Sequence, residues 1–390
     1  MSQAVEDFDH WIRTEFVELN TALEEQYFAQ EYPGNVVGVG DKIKGKLESR
    51  GRELIAPLIA EGNTERQFDK AFDVLGNLGL FLAALRRHEL TNPDREARSP
   101  YDDCSALGMH IAASMGVVPR FVMAHLSTHN RAIGGKPKSF TSLPDEQLFN
   151  HKNHLAVMAF KRAGSALMKI SKIGISSPVA MELLSNAKKA LEEVAVHNKQ
   201  LFDNLDVDRF YFSVRPYFKP YRVGRNVYRG ANAGDFAEIN QIDLLLGLCR
   251  GNDPYYAQIL EEKILYMVPD DQVSLKQCLG TAPLLDEIVA LAPKFKNKDW
   301  FISLCALYLE VCKAHGRTAV QHHNMLVEKF INGPSKSVPE PDLKQVTASG
   351  PPLEELINAL EHLRDLRVAA PNVDYHTAHA ELDFLRSLLK

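Results

Sequence analysis

The sequence predicts an all-α protein of two helical domains, and three observations carry that prediction. Apolar residues recur at helical spacing nearly everywhere, period-two alternation is hard to find, and breaker-rich stretches punctuate the pattern at a few places only. The first segment shows the spacing in Trp11, Phe16, Leu19 and Leu23, and the third in Phe72, Leu75, Leu78, Leu82 and Leu85. Read in order, the pattern predicts helices over 4–30, 39–61, 64–90, 102–131, 145–172, 178–204, 235–250, 254–265, 270–291, 298–331, 351–366 and 375–389. The strongest boundary is Gly134-Gly135-Lys136-Pro137-Lys138-Ser139-Phe140-Thr141-Ser142-Leu143-Pro144, which separates a small N-terminal helical domain (1–140) from a large C-terminal one (141–390). Two further non-helical stretches, Tyr211 to Gly234 and Gly333 to Pro352, are long for a compact domain, and loops of that length usually carry function or move.

Composition narrows the class. A chain of 390 residues with 45% hydrophobic and 24% charged side chains has enough apolar material for a sizeable core. The net charge of -5 argues against a nucleic-acid partner, which would ask for a basic stripe. The short basic pairs Arg86-Arg87 and Lys161-Arg162 read as solvated helix faces. Five scattered cysteines, odd in number and without a Cys-x-x-Cys pair, indicate neither a disulfide framework nor a cysteine zinc site. The first ten residues are acidic and lack an apolar h-region, and no apolar run approaches membrane-spanning length. The expectation is a soluble cytoplasmic protein with no membrane or nucleic-acid partner. Nothing in the sequence speaks to its oligomeric state.

The candidate for chemistry is a histidine in Ala319-Val320-Gln321-His322-His323-Asn324-Met325-Leu326-Val327-Glu328-Lys329-Phe330-Ile331. At 100° per residue with Ala319 at zero, Tyr308, Cys312, His315, Leu326 and Phe330 fall within about 40° of one direction and define a buried stripe. On the same wheel His323 lies at about +40° and His322 at about -60°, so His323 faces inward more directly. A neutral inward imidazole is able to hold a metal or haem iron. From spacing alone the preferred reading is a core or interface histidine satisfied by a hydrogen bond, and that reading applies more strongly still to His315, also inward. His151 and His154, like His376 and His379, share an H-x-x-H spacing, but the chain has no H-E-x-x-H motif and no E-x-x-H partner for a di-iron bundle. No phosphate-binding loop motif is present, and Gly38-Val39-Gly40 lacks the third glycine of a dinucleotide fingerprint.

From Phe210 to about residue 331 the chain resembles the indoleamine 2,3-dioxygenases. The blocks that carry the likeness are Phe210-Tyr211-Phe212-Ser213-Val214-Arg215-Pro216-Tyr217-Phe218, Val227-Tyr228-Arg229-Gly230 with Ala231-Asn232-Ala233-Gly234 and a helix ending Asp243-Leu244-Leu245-Leu246-Gly247, then Tyr266-Met267-Val268-Pro269, and finally the helix of His323. Weaker similarity touches Val118 to Ala124 and Val346 to Gly350. The same superfamily includes tryptophan 2,3-dioxygenases and the haem protein of pyrrolnitrin biosynthesis, which rearranges a chlorotryptophan.

The resemblance implies a helical haem-binding C-terminal domain in which His323 is the proximal ligand of a haem b iron, with Ala233 and Arg225 beside the cofactor. It places Arg215 against a substrate carboxylate, which suits its forked permanent charge, and Phe210 against an indole ring. Met123 and Ala156 fall at distal positions where relatives place an aromatic and a serine or histidine, and His154 comes close to that pocket as an oxygen- or substrate-contacting residue. Thr347 is the retained threonine of a mobile substrate-closing loop whose flanking glycines are missing here. The competing readings are a structural ion pair for Arg215, core packing for Phe210 and surface exposure for Arg225 and Arg229. The function implied is addition of dioxygen to tryptophan or a related indole. The alternatives are rearrangement or monooxygenation of an indole amino acid, and haem binding without turnover.

Overall fold

The computed structural model describes residues 2–61, 67–332 and 353–390. Its elements are helices apart from one short hairpin, so the predicted all-α class holds. The helices are α1 (Gln3–Arg13), α2 (Glu15–Phe28), α3 (Asp41–Glu61), α4 (Phe68–Arg87), α5 (Asp102–Met115), α6 (Met123–Leu126), α7 (Pro144–Ile173), α8 (Ala180–Asn204), α9 (Val207–Arg209), α10 (Ala237–Leu246), α11 (Pro254–Ile264), α12 (Pro269–Leu279), α13 (Leu284–Phe295), α14 (Asp299–Gln321), α15 (Leu353–Val368) and α16 (His379–Ser387). Strands β1 (Tyr221–Val223) and β2 (Asn226–Tyr228) pair antiparallel, with Tyr221 opposite Tyr228 and Val223 opposite Asn226.

Three predicted helices break where local chemistry dictates. The 4–30 segment divides at Thr14, whose φ of -127° and ψ of -98° lie outside the helical region, giving α1 and α2. The 102–131 segment stops at Met115 because Gly116 takes a left-handed φ of 69°, the usual way to end a helix. The 270–291 segment splits before Pro283, which cannot continue the backbone ladder of the preceding helix. The hairpin falls in the Tyr211 to Gly234 stretch, where only three residues per strand alternate, too few to read as a period.

The helices gather into two compact units, each assembled from separate stretches of chain: Met1–His151 with Leu205–Asp235 and Phe330–Leu353, and Lys152–Asn204 with Phe236–Lys329 and Glu354–Lys390. The first unit has an aromatic core. Trp11 meets Phe16 and Phe81 edge-on, and Phe140 stacks on Tyr217 with centroids 4.3 Å apart. Its polar interior is paired: Arg87 forms a two-point ion pair with Glu24 at 2.7 and 2.8 Å, and Arg86 meets Glu89 at 2.5 Å. The expectation that Arg86-Arg87 is a solvated face is therefore corrected. Both arginines are buried, because α4 is covered all round and its last turn carries its charge into contact with carboxylates.

The second unit is an aliphatic helical core. α14 packs along α8, bringing Leu304, Cys305, Tyr308 and Val311 against Leu184, Leu191 and Val194, all buried. α10 is enclosed on every side, so its polar residues Asn240, Gln241 and Asp243 are buried with its leucines. The five cysteines are all free and buried. No helix among the described residues is long and apolar enough to cross a membrane.

Candidate functional site

The α-helical ladder of α14 ends at Gln321, and residues His322–Asn332 continue as a π-helix. Each residue there turns through a smaller angle than in an α-helix, so a wheel drawn at 100° per position loses its register at the histidine pair. The structure makes the distinction directly: His323 is 5% exposed and buried, while His322 is half-buried. Burial, aided by the Arg367 charge, pushes the His322 pKa down to about 4, which leaves it neutral at pH 7.

His323 has the features of an imidazole held for a ligand. Its buried Nδ1 has no hydrogen-bond partner among the described residues, and its Nε2 stands 3.6 Å from Glu361 Oε1, beyond hydrogen-bond length. Burying a ring nitrogen without a partner costs free energy; the Nδ1 of His315 carries the same cost, but its Nε2 is bonded to Asp243, whereas neither ring nitrogen of His323 has a hydrogen bond among the described residues. His125 in the first unit is an ordinary core histidine: its Nδ1 accepts from the Val122 N–H and its Nε2 donates to the Phe72 carbonyl, both at 2.9 Å. An imidazole of this kind, on a π-helical turn, is a donor of the type that could hold a haem iron.

Two turns earlier on α14, His315 is fully buried and donates from Nε2 to Asp243 Oδ1 at 2.6 Å. Asp243 also accepts from the Arg367 guanidinium at 2.8 to 3.1 Å and from the Tyr256 hydroxyl at 2.8 Å. Burial alone would raise its pKa, but the Arg367 charge and the His315 contact outweigh burial and hold the carboxyl well below the usual range. This network ties α10, α11 and α15 to the helix of His323. Sequence reasoning quoted Asp243 without giving it a role. The available signal was a lone acid in the apolar run Ile242 to Leu246.

The remaining second-unit candidates lie on α7. Ala156 is buried and His154 half-buried. Two positions apart on an α-helix, they point about 160° away from each other, so the helix does not bring them to one face. The H-x-x-H pair His376 and His379 lies around α16, where His376 lines a cleft of about 490 Å³ with Arg250, Asp253 and Asp286. None of the predicted haem or substrate residues lines that cleft.

In the first unit, α9 runs into a π turn at Phe210–Val214, closed by the Arg215 N–H on the Phe210 carbonyl, and then into a 3-10 turn at Arg215–Phe218. The change in pitch separates the roles of neighbours. Tyr217 and Phe218 enter the aromatic core, Phe210 packs between Phe149 (5.2 Å) and Phe330 (5.9 Å), and Arg215 lies over the Tyr211 ring at 5.3 Å. Burial lowers the Arg215 pKa, but a guanidinium stays cationic in proteins. Arg215 has no carboxylate partner among the described residues, so the structural ion pair weighed from sequence is not seen there.

Arg225 is exposed at the turn between β1 and β2, with its carbonyl accepting from Arg222. Arg229 forms a two-point pair with Asp235 at 2.8 and 2.9 Å. The same Asp235 accepts from the Asn232 N–H, which shapes the loop carrying half-buried Ala233. Met123 is buried at the start of α6. Thr347 lies outside the described residues.

A family model described as monodechloroaminopyrrolnitrin synthase PrnB matches residues 2–389, nearly the whole chain. That span takes in the Phe210–Ile331 blocks, the π-helical histidine and the N-terminal helices, where the likeness read from the sequence was weak. The chain therefore belongs to the monodechloroaminopyrrolnitrin synthase PrnB family, a branch of the indoleamine and tryptophan dioxygenase-like haem superfamily.

Proposed function

We propose that the chain is a haem-b-dependent enzyme that acts with dioxygen on tryptophan or a related indole amino acid, with His323 holding the iron. The observation that carries this reading is the buried, hydrogen-bond-deprived imidazole on a π-helical turn, found in a chain of a haem-dependent enzyme family. When bound, the haem supplies an open iron position for dioxygen. Of the two outcomes, the family match over residues 2–389 favours oxidative rearrangement of the indole amino acid over 2,3-dioxygenation.

The contributions of this chain's own residues follow from their positions. Asp243, itself held by Arg367, grips His315, which limits rotation and sliding of α14 two turns before His323. Arg215 offers two parallel N–H donors for an amino-acid carboxylate, and Phe210 an apolar ring face for an indole. Fixing the amino acid at its carboxylate lowers the entropic cost of presenting one ring edge for reaction.

The test is spectroscopic and then chemical. Wild type reconstituted with haem is expected to show a Soret band that His323→Ala loses or shifts, while His322→Ala keeps it. A wild type that takes up no haem under reducing conditions sinks the proposal. With labelled dioxygen, an indole amino acid is expected to give a product without a ring-opened formylkynurenine; two label atoms in a ring-opened product assign dioxygenation instead.

A further inference from the structure

The turn that carries Arg215 takes part of its support from outside itself. Residues Phe210–Val214 form a π turn and Arg215–Phe218 a 3-10 turn, so the chain here leaves the regular α-helical ladder. Four residues beyond Phe212, where an α-helix would supply the donor to its carbonyl, stands Pro216, which has no N–H. The donor comes from α4 instead: the Arg87 guanidinium gives an N–H from Nη2 to the Phe212 carbonyl at 2.8 Å.

Arg87 is itself fixed from behind. Its Nε and Nη2 donate to the two oxygens of Glu24 on α2 at 2.7 and 2.8 Å, with the Glu24 side chain fully enclosed and that of Arg87 6% exposed. The Ser213 and Tyr217 side chains lie beside the same carboxylate, and the Tyr217 hydroxyl donates to Asn20 Oδ1, also on α2, at 3.4 Å. The pair thus meets the chain on both sides of Arg215. A buried ion pair adds little net stability over apolar residues of the same volume. What a planar two-point pair adds is direction, because the fork bonds well in one orientation only.

We propose that Glu24 and Arg87 are positioning residues for substrate recognition: acting through the Phe212 carbonyl, they fix the turn from which Arg215 meets the substrate carboxylate. The inference rests on the indole amino-acid reading above. Neither residue touches the substrate. Their effect is on where the Arg215 fork points, and a misplacement of about 1 Å in such a group costs up to a hundredfold. The pair should therefore matter for an amino acid and be indifferent to the decarboxylated amine, which makes no use of Arg215.

The haem-reconstituted protein is titrated by calorimetry with L-tryptophan and with tryptamine, and hydrogen exchange is followed over residues 210–218. Arg87→Lys is the variant of choice, since it keeps a charge opposite Glu24 and gives up the fork. It is expected to weaken tryptophan binding about tenfold, to leave tryptamine within about twofold, and to speed exchange over 210–218 about tenfold while α5 keeps its protection. In an Arg215→Gln background Arg87→Lys is expected to cost no further tryptophan affinity, because the group it positions is gone. Equal loss of tryptophan and tryptamine, an undiminished loss in the Arg215→Gln background, or unchanged exchange over 210–218 overturns the proposal. If the wild type binds neither indole, the indole reading fails, and exchange alone decides whether the pair holds the turn. Should Arg87→Lys not fold, Ser213→Ala replaces it, removing one hydroxyl from beside Glu24 with the charges intact; the same selective loss, about threefold, is expected, and equal loss of both indoles overturns the proposal.

Discussion

Replacing Asp243 by Asn tests the network behind His323 most sharply. The carboxylate is fully buried, and it is the counter-charge of Arg367, whose side chain is only 11% exposed. The amide keeps the volume, so no cavity opens, but it leaves a buried guanidinium without a counter-charge and turns one acceptor into a donor facing Arg367 or Tyr256. Removing one partner of a buried pair costs about 3–5 kcal/mol. For a unit of this size that is a fall of roughly 6–20 °C in Tm. The chain has two tryptophans, Trp11 in the first unit and Trp300 in the second, so in a Trp11→Phe background fluorescence follows the second unit alone. The pH dependence adds a signature. The folded pKa of Asp243 is depressed, so its stabilisation is complete above the unfolded value near 3.8 and is lost as pH falls below it toward the folded value. Wild type is expected to lose stability through that acid window, and Asp243→Asn to lose less. A loss at pH 7 below about 1 kcal/mol, or an unchanged acid limb, would refute the view that this carboxylate carries the network.

Gly79→Ala is expected to destabilise the first unit by about 3 kcal/mol or more in a denaturant melt followed through Trp11, because the added Cβ would sit 2.1 Å from the backbone nitrogen of Phe121, which no rotamer change relieves. His125 is held neutral, its pKa lowered to about 3 chiefly by burial, while its Nδ1 accepts a hydrogen bond. Its unfolded form takes up a proton near pH 6.5, so the first unit should lose about 1.4 kcal/mol per pH unit from this group between pH 6.5 and 3, and His125→Gln should flatten that slope. Burial raises the thiols of Cys104, Cys278 and Cys312 to about 12 and Cys305 to about 11, so native protein at pH 8 is expected to resist iodoacetamide, with five sites labelled after denaturation.

Helical periodicity was enough to establish the all-α class and to locate most helices within a few residues, because burial of one face imprints its period on the chain wherever the helix is amphipathic. Residue pattern also singled out His323 and Arg215, whose neighbours Gln321 to Phe330 and Phe210 to Phe218 are distinctive as local strings. Local strings do not register who faces whom across the fold. Arg86-Arg87 read as a solvated pair and is buried, since the carboxylate answering Arg87 is on α2, more than sixty residues away. Asp243 gains its role from Arg367 on α15 and His315 on α14. The π-helical pitch at His322–Asn332 is likewise set by packing, as residue spacing cannot distinguish i to i+5 from i to i+4 hydrogen bonds. Periodicity is a property of neighbours along the chain, whereas charge compensation and an unsatisfied imidazole are properties of neighbours in space, and only tertiary contacts create the latter.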